Sequence, residues 1–202
     1  GTVIAAAAAG VDDARIEADL RVLTAEPHRL TGSPAGARAA DHLARRLREA
    51  GLKHVWEQTY RTAVLKSGVC ELTAAGRTFP LHPARPNGIV PPSTTADGVT
   101  GPLVYVGSGD LDAYPDQFPS EALVLMDYAS GDNWRRAFQL GAQAVVFAGD
   151  RGQASREHSL STEAPANFVR AYYDGPAADL PVGETVTLRC AVTWEPGTGR
   201  NV

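Results

Sequence analysis

The chain reads as an α+β fold, with a helical pair ahead of a sheet-rich remainder. Three observations predict it. Residues 12–51 space their apolar side chains at helical intervals between cap signals. After Gly51 the period falls to two, and strand-like runs alternate with turn residues. Between Leu103 and Ala148 two short apolar runs, an amphipathic segment and a third apolar run follow in order, the pattern of a strand–helix–strand unit. The composition permits a sizeable core: of 202 residues, 44% are hydrophobic and 21% charged.

Asp12 or Asp13 caps a first helix running through Ala25, with Val11, Ile16, Leu20 and Leu23 on one side. Glu26-Pro27 ends it, because a residue before proline is biased away from helix. Ser33-Pro34 restarts helix, serine as cap and proline in the first turn, and this second helix continues to about Ala50. Ala40, Leu43, Leu47 and Ala50 are expected to form its buried stripe, with Gly51 as the stop. Arg38, Arg45, Arg48 and Glu49 read as a solvated face.

Val55 to Tyr60 reads as a strand, and Val69 to Ala74 and Thr78 to Leu81 flank Ala75-Gly76-Arg77 as a hairpin. Residues 82–102 hold His82-Pro83, Arg85-Pro86-Asn87-Gly88, Pro91-Pro92 and Gly101-Pro102, the most loop-like stretch of the chain. Buried strands are expected at Leu103–Val106, Ala122–Met126 and Ala144–Ala148, with a short helix at Asn133–Leu140 between the last two. Residues 149–166 read as a surface loop. Phe168–Tyr173 and Thr185–Trp194 are two more strands. In the latter Val186, Leu188, Cys190, Val192 and Trp194 share one face.

The net charge is −4 and the pI about 5.7. Residues 12–51 balance seven positive against seven negative side chains. A nucleic-acid binder or an anionic-membrane binder carries a basic excess that this chain lacks. The longest apolar run, Val3 to Ala9, is far shorter than the ~20 residues that span a bilayer. It has no basic flank, so it is not a complete signal peptide, and it fits a chain beginning just after a removed targeting segment. Cys70 and Cys190 are too few for a disulfide scaffold or a four-ligand zinc site. Two separate buried thiols are expected, with a single Cys70–Cys190 bridge as the alternative.

Catalytic motifs are missing. His28, His42, His54, His82 and His158 stand in neither HExxH nor HxD spacing, and each reads as a surface or hydrogen-bonded structural residue. Gly107-Ser108-Gly109 lacks the spacing of a nucleophile elbow, and neither phosphate-loop pattern is present. Asp110, Asp112 and Asp116 suggest a calcium loop, but Pro115 stands where glycine is needed and no glutamate closes it. They read as a solvated acidic turn. Asp127 reads as a turn or cap residue, and Asp150-Arg151 as a surface pair. No catalytic, cofactor-binding or metal-binding residue is assigned. From the residues alone the chain is a soluble αβ binding or accessory module with a helical appendage.

Two stretches nevertheless resemble a known family. Pro27-His28-Arg29-Leu30-Thr31-Gly32-Ser33-Pro34, followed by Ala39-Ala40, Leu43, Leu47 and Gly51-Leu52, resembles the N-terminal segment of co-catalytic zinc aminopeptidases and glutamate carboxypeptidase-like metallopeptidases. Gly101 to Trp194 resembles their inserted protease-associated (PA) domain, best at Ala122–Asp127, Asn133–Ala137 and Gly141–Phe147. Gly199-Arg200-Asn201-Val202 resembles the strand that returns to the peptidase domain. The resemblance implies a β-sandwich or open barrel with flanking helices, preceded by the helical pair. It divides the chain into a helical segment at 1–60, a PA-like domain at 61–194 with its core at 101–194, and the return at 195–202. The family's two zinc ions and glutamate base lie beyond that return, so no catalytic position carries over and none of the cofactor is expected here. The implied function is a non-catalytic accessory region, for substrate access or recognition, of a zinc-dependent exopeptidase, most readily an aminopeptidase. The alternative is an independent protein- or peptide-binding module of a receptor-like, inactive relative. Implied partners are the missing catalytic domain, a peptide or protein substrate, and a second copy through the exposed helical face. A secreted or cell-envelope location is implied as well. The helical pair is expected either to carry an unmatched apolar surface or to find a substitute partner.

Overall fold

A computed structural model describes residues 12–26, 29–84, 93–149 and 168–202. The expectations placed on Val3–Ala9, Pro27-His28, Arg85–Pro92, Asp150-Arg151 and His158 lie outside the described residues. The chain divides into two compact units, residues 1–64 with 195–202, and residues 65–194. Among the described residues no helix is long and apolar enough to cross a membrane.

The first unit holds both long helices. Helix α1 is Asp13–Leu23, where the Asp12 side chain accepts a hydrogen bond from the Arg15 amide. Helix α2 is Pro34–Glu49, where the Ser33 hydroxyl accepts from the Gly36 amide at 3.0 Å. The expected stripe on α2 holds at Ala40, which is buried, and in part at Leu47, which is half-buried; it is corrected at Leu43 and Ala50, which are exposed. Ala35, His42 and Ala44 are buried as well.

Strand β1 is Gln58–Ala74 and strand β8 is Thr185–Asn201. Each begins in one unit and ends in the other. The two separate strands expected at 55–60 and 69–74 are therefore one, beginning at Gln58. Between β1 and β8 lie β2 (Arg77–Pro80), β3 (His82–Pro83), β4 (Val99–Tyr105), β5 (Leu123–Asp127), helix α3 (Trp134–Gln139), β6 (Ala144–Gly149) and β7 (Val169–Asp174). The strands form an eight-stranded sheet in the order β2-β1-β8-β4-β5-β6-β7-β3. The expected α+β class holds as this mixed sheet flanked by helices.

In the second unit β4, β5, β6 and β7 run parallel, with Leu125 opposite Val146 and Val146 opposite Ala171. Both sheet faces are covered here. Leu123, Leu125, Ala144 and Val146 enter one core with Leu72, Leu103, Val186, Leu188 and Val192. Val124, Met126, Val145 and Phe147 enter a second with Tyr128, Trp134 and Ala137. A parallel strand buried on both faces needs an uninterrupted apolar run, which is what Leu123–Met126 and Ala144–Ala148 supply. On β8 the expected alternation holds for Val186, Leu188, Cys190 and Val192, all buried, but Trp194 is exposed.

The β1–β2 hairpin closes on Ala75-Gly76, both with positive φ (45° and 76°), between the paired Ala74 and Arg77. Such a two-residue turn favours Asn-Gly, because asparagine tolerates the left-handed region better than alanine. Ala75→Asn is expected to stabilise the chain by about 0.5–1 kcal/mol. A melting temperature unchanged or lowered would contradict this assignment of the turn.

Candidate functional site

Several residues with catalytic potential are held by structural hydrogen bonds. The Ser108 hydroxyl donates to Asp110 Oδ2 at 2.6 Å. Asp110 also accepts from Arg136 Nη1 at 3.1 Å and Asn133 Nδ2 at 3.4 Å. The Ser108 hydrogen bond, and then that of Arg136, hold its carboxyl below the usual range. Asp112 and Asp116 are exposed in the same loop. Asp127 accepts from the Tyr105 hydroxyl at 2.7 Å, and that bond pushes the tyrosine up. His54 is exposed, and His82 stacks on Tyr172 with ring centroids 6.1 Å apart. No three His, Cys, Asp or Glu side chains among the described residues gather to hold a metal.

The features that remain belong to the helical unit. His42 is buried and its Nε2 lies 2.9 Å from Asp19 Oδ1. Arg46 Nε donates to Asp19 Oδ2 at 3.0 Å, and its Nη1 reaches Glu49 at 2.8 Å. Asp19 on α1 is thus clasped by two side chains of α2. Desolvation pushes the Asp19 carboxyl up, but the hydrogen bonds from Arg46 and His42 outweigh it, and the net shift is downward. Glu49 is likewise held down, by hydrogen bonds from Arg46 and then Arg45. Arg200 binds both Asp41 and Glu57, and these bonds raise it. The residues read as a solvated face are tied on the surface: Arg45 to Glu49 at 2.6 Å, Arg38 to Glu26, and Arg48 to Glu57 at 3.9 Å. Asp19, Arg46 and Arg200 could not be paired from sequence, since their partners are set by how the elements pack.

A carboxylate held below its unfolded value stabilises the fold above that unfolded value, near pH 4, and the contribution fades as pH falls through the folded value. Asp19 is of this kind across the contact of α1 with α2, and Glu49 within α2. The contact between α1 and α2 is therefore expected to be intact from neutral pH to about 5 and to loosen below about 4. Carboxyl chemical shifts of Asp19 and Glu49 followed by NMR check this. Midpoints at or above ordinary carboxylate values would reject the clasp.

Helix α1 has eleven residues and none is buried. Ile16 is 48% exposed, Leu20 54% and Val22 52%. On α2 and after it, Leu43, Leu52 and Trp56 are exposed too. Alongside lies a cleft of about 360 Å³, lined by Val22, Leu23, Ala25, Ala35, Ala39 and four charged residues. An isolated helix under ~12–15 residues is marginal in water, and helices in proteins draw stability from a packed apolar face. This helix presents that face outward. Leu20→Asp is accordingly expected to change the stability of the chain by no more than about 0.5 kcal/mol. A loss above 2 kcal/mol in urea denaturation would show that Leu20 is packed within the chain.

No protein-family model matches the chain, and no curated protein does. Solved structures do. A zinc aminopeptidase from Bacillus subtilis superposes with a TM-score of 0.57 at 19% identity, over 90% of this chain and 44% of that one. The chain shares its fold with part of a zinc aminopeptidase. A peptidase M28 precursor from Shewanella amazonensis gives a TM-score of 0.55 at 16% identity, over 90% of this chain and 48% of that one. A second structure of the Bacillus subtilis enzyme gives 0.54 at 20% identity. The chain therefore spans less than half the length of these solved structures. At these identities the likeness establishes the fold.

Proposed function

We propose that residues 1–202 are a non-catalytic accessory region of a longer zinc-dependent exopeptidase, in the first instance an aminopeptidase. The observation that carries this reading is the outward apolar face of the helical unit, on a chain whose fold accounts for less than half of its aminopeptidase relatives. In this reading residues 1–60 pack on a catalytic domain. Residues 61–194 form the PA-like sandwich or open barrel that shapes access of a peptide or protein substrate, and 195–202 lead back. The two zinc ions belong to the catalytic domain. No donor set among the described residues fits them, so no step of zinc chemistry is assigned to this chain. A secreted or cell-envelope location fits the same reading.

The test compares residues 1–202 with the full-length gene product on aminoacyl-chromogenic substrates, with zinc added and then chelated. Support would be an inert 202-residue chain beside a chelator-sensitive full-length enzyme. Inactivity of both, across a panel of aminoacyl groups, would move the reading to a binding module of an inactive relative. Turnover by the 202-residue chain itself would overturn it.

A further inference from the structure

We propose that Cys70 and Cys190 are a disulfide-forming pair that closes the second unit into a covalent loop in an oxidising environment. Their sulfurs lie 3.3 Å apart and both thiols are free. The two thiols are unbonded, as expected, with Cys70 only half-buried, but they stand side by side because β1 and β8 are neighbours in the sheet. Three contacts give the pairing: Cys70 with Cys190, Glu71 with Arg189 at 3.0 Å, and Thr73 with the Thr187 carbonyl at 3.4 Å. As one number rises the other falls, so the strands are antiparallel, with the cysteines directly opposed.

The backbone decides which kind of opposed pair this is. The Cys70 carbonyl accepts from the Leu81 amide, on the side away from β8. The Cys190 carbonyl accepts from the Thr94 amide at 2.8 Å, and the Cys190 amide donates to the Thr94 hydroxyl at 3.2 Å. Both cysteines thus turn their backbone groups away from each other. They occupy a non-hydrogen-bonded pair of the ladder, where opposed Cα atoms come within about 4.5 Å and side chains are closest. That spacing lies inside the range a disulfide requires, and bond formation asks the sulfurs to close by only about 1.3 Å. The pair lies in the second unit, just inside the points where β1 and β8 enter and leave it. A bond here would tie both crossings.

The oxidant is a small disulfide such as oxidised glutathione. The Cys70 thiolate, the more exposed of the two, attacks one oxidant sulfur and expels one thiolate, leaving a mixed disulfide. Cys190 then attacks the Cys70 sulfur, forms the internal bond and expels the second thiolate. The two thiol protons go to the two released glutathione thiolates; the protein loses two electrons and the oxidant gains them. The hydrogen bond to the neighbouring thiol, and then burial, push the Cys70 thiol up. The first step is therefore slow at neutral pH and faster in mild alkali.

The experiment incubates the 202-residue chain with oxidised glutathione at about pH 8.5 and compares it with the reduced chain. The expected result is loss of both titratable thiols, a mass lower by about 2 Da, and a non-reduced peptide joining the two cysteines. The melting temperature of the oxidised chain should rise on the order of 10 °C, since the bond closes a long loop. The Cys70→Ser variant should keep one thiol and show no such rise. Two thiols still titratable after prolonged oxidation would overturn the proposal. So would stable glutathione adducts without an internal link, or links between chains only.

Discussion

Phe147→Ala is expected to destabilise the second unit by about 3–5 kcal/mol, the largest effect of any single truncation considered. Phe147 is the fourth residue of β6, which has β5 on one side and β7 on the other. It is fully buried, and the Tyr128 ring meets it edge-on with centroids 6.5 Å apart. Around it the core is built from Val145, Met126, Trp134 and Tyr172, held on strands and a helix that cannot collapse inward without breaking ladder bonds. Removing the ring leaves a cavity with little means of relaxing, so the cavity cost adds to the lost transfer energy. Urea denaturation of the chain and the variant measures it. A loss under 1 kcal/mol would mean that this face of the sheet is not packed as described.

Gly101→Ala comes next, with an expected loss of about 3 kcal/mol. In a strand, glycine to alanine ordinarily helps by about 0.5–1 kcal/mol through the unfolded chain. Here the local geometry reverses the sign. A Cβ at Gly101 would overlap the Glu121 carbonyl oxygen and stand 2.9 Å from its carbon. That oxygen cannot retreat freely, because Gln143 Nε2 donates to it at 2.9 Å and to the Thr100 carbonyl at 3.1 Å. Glu121 is itself held at φ 63°. The methyl group would push apart β4 and the turn into β5 and break the Gln143 clamp. Gly68→Ala is the control: its Cβ would meet Ala191 at an ordinary 3.4 Å, and it should be near neutral. Equal effects at the two positions would reject the argument.

The legible part of this protein was local. Asp12 and Ser33 cap the helices that their side chains announce, and Ala75-Gly76 turns the hairpin where no longer loop would fit. The uninterrupted apolar runs at Leu123–Met126 and Ala144–Ala148 mark strands covered on both faces. Ser108, Asp110 and Asp127 carried no motif, and only the structure shows their partners: Ser108 donates to Asp110, and Asp127 accepts from Tyr105. Less legible was which side of a helix is buried. On α2 the spacing pointed to Leu43, yet Leu43 is exposed while Ala35, Ala40, His42 and Ala44 are buried.

Helix ends, the hairpin turn and the apolar strands follow from the chain's own order, since each rests on interactions between residues a few positions apart. Tertiary structure alone decided the rest. Asp19 meets Arg46 twenty-seven positions away, Arg200 meets Asp41 across 159, and Cys70 faces Cys190 across 120. Such pairs depend on strand register and helix packing, which residues a few positions apart do not determine. An unmatched apolar surface on the helical pair was expected from the family resemblance, but which residues of α1 carry it, Ile16, Leu20 and Val22, was decided only by packing.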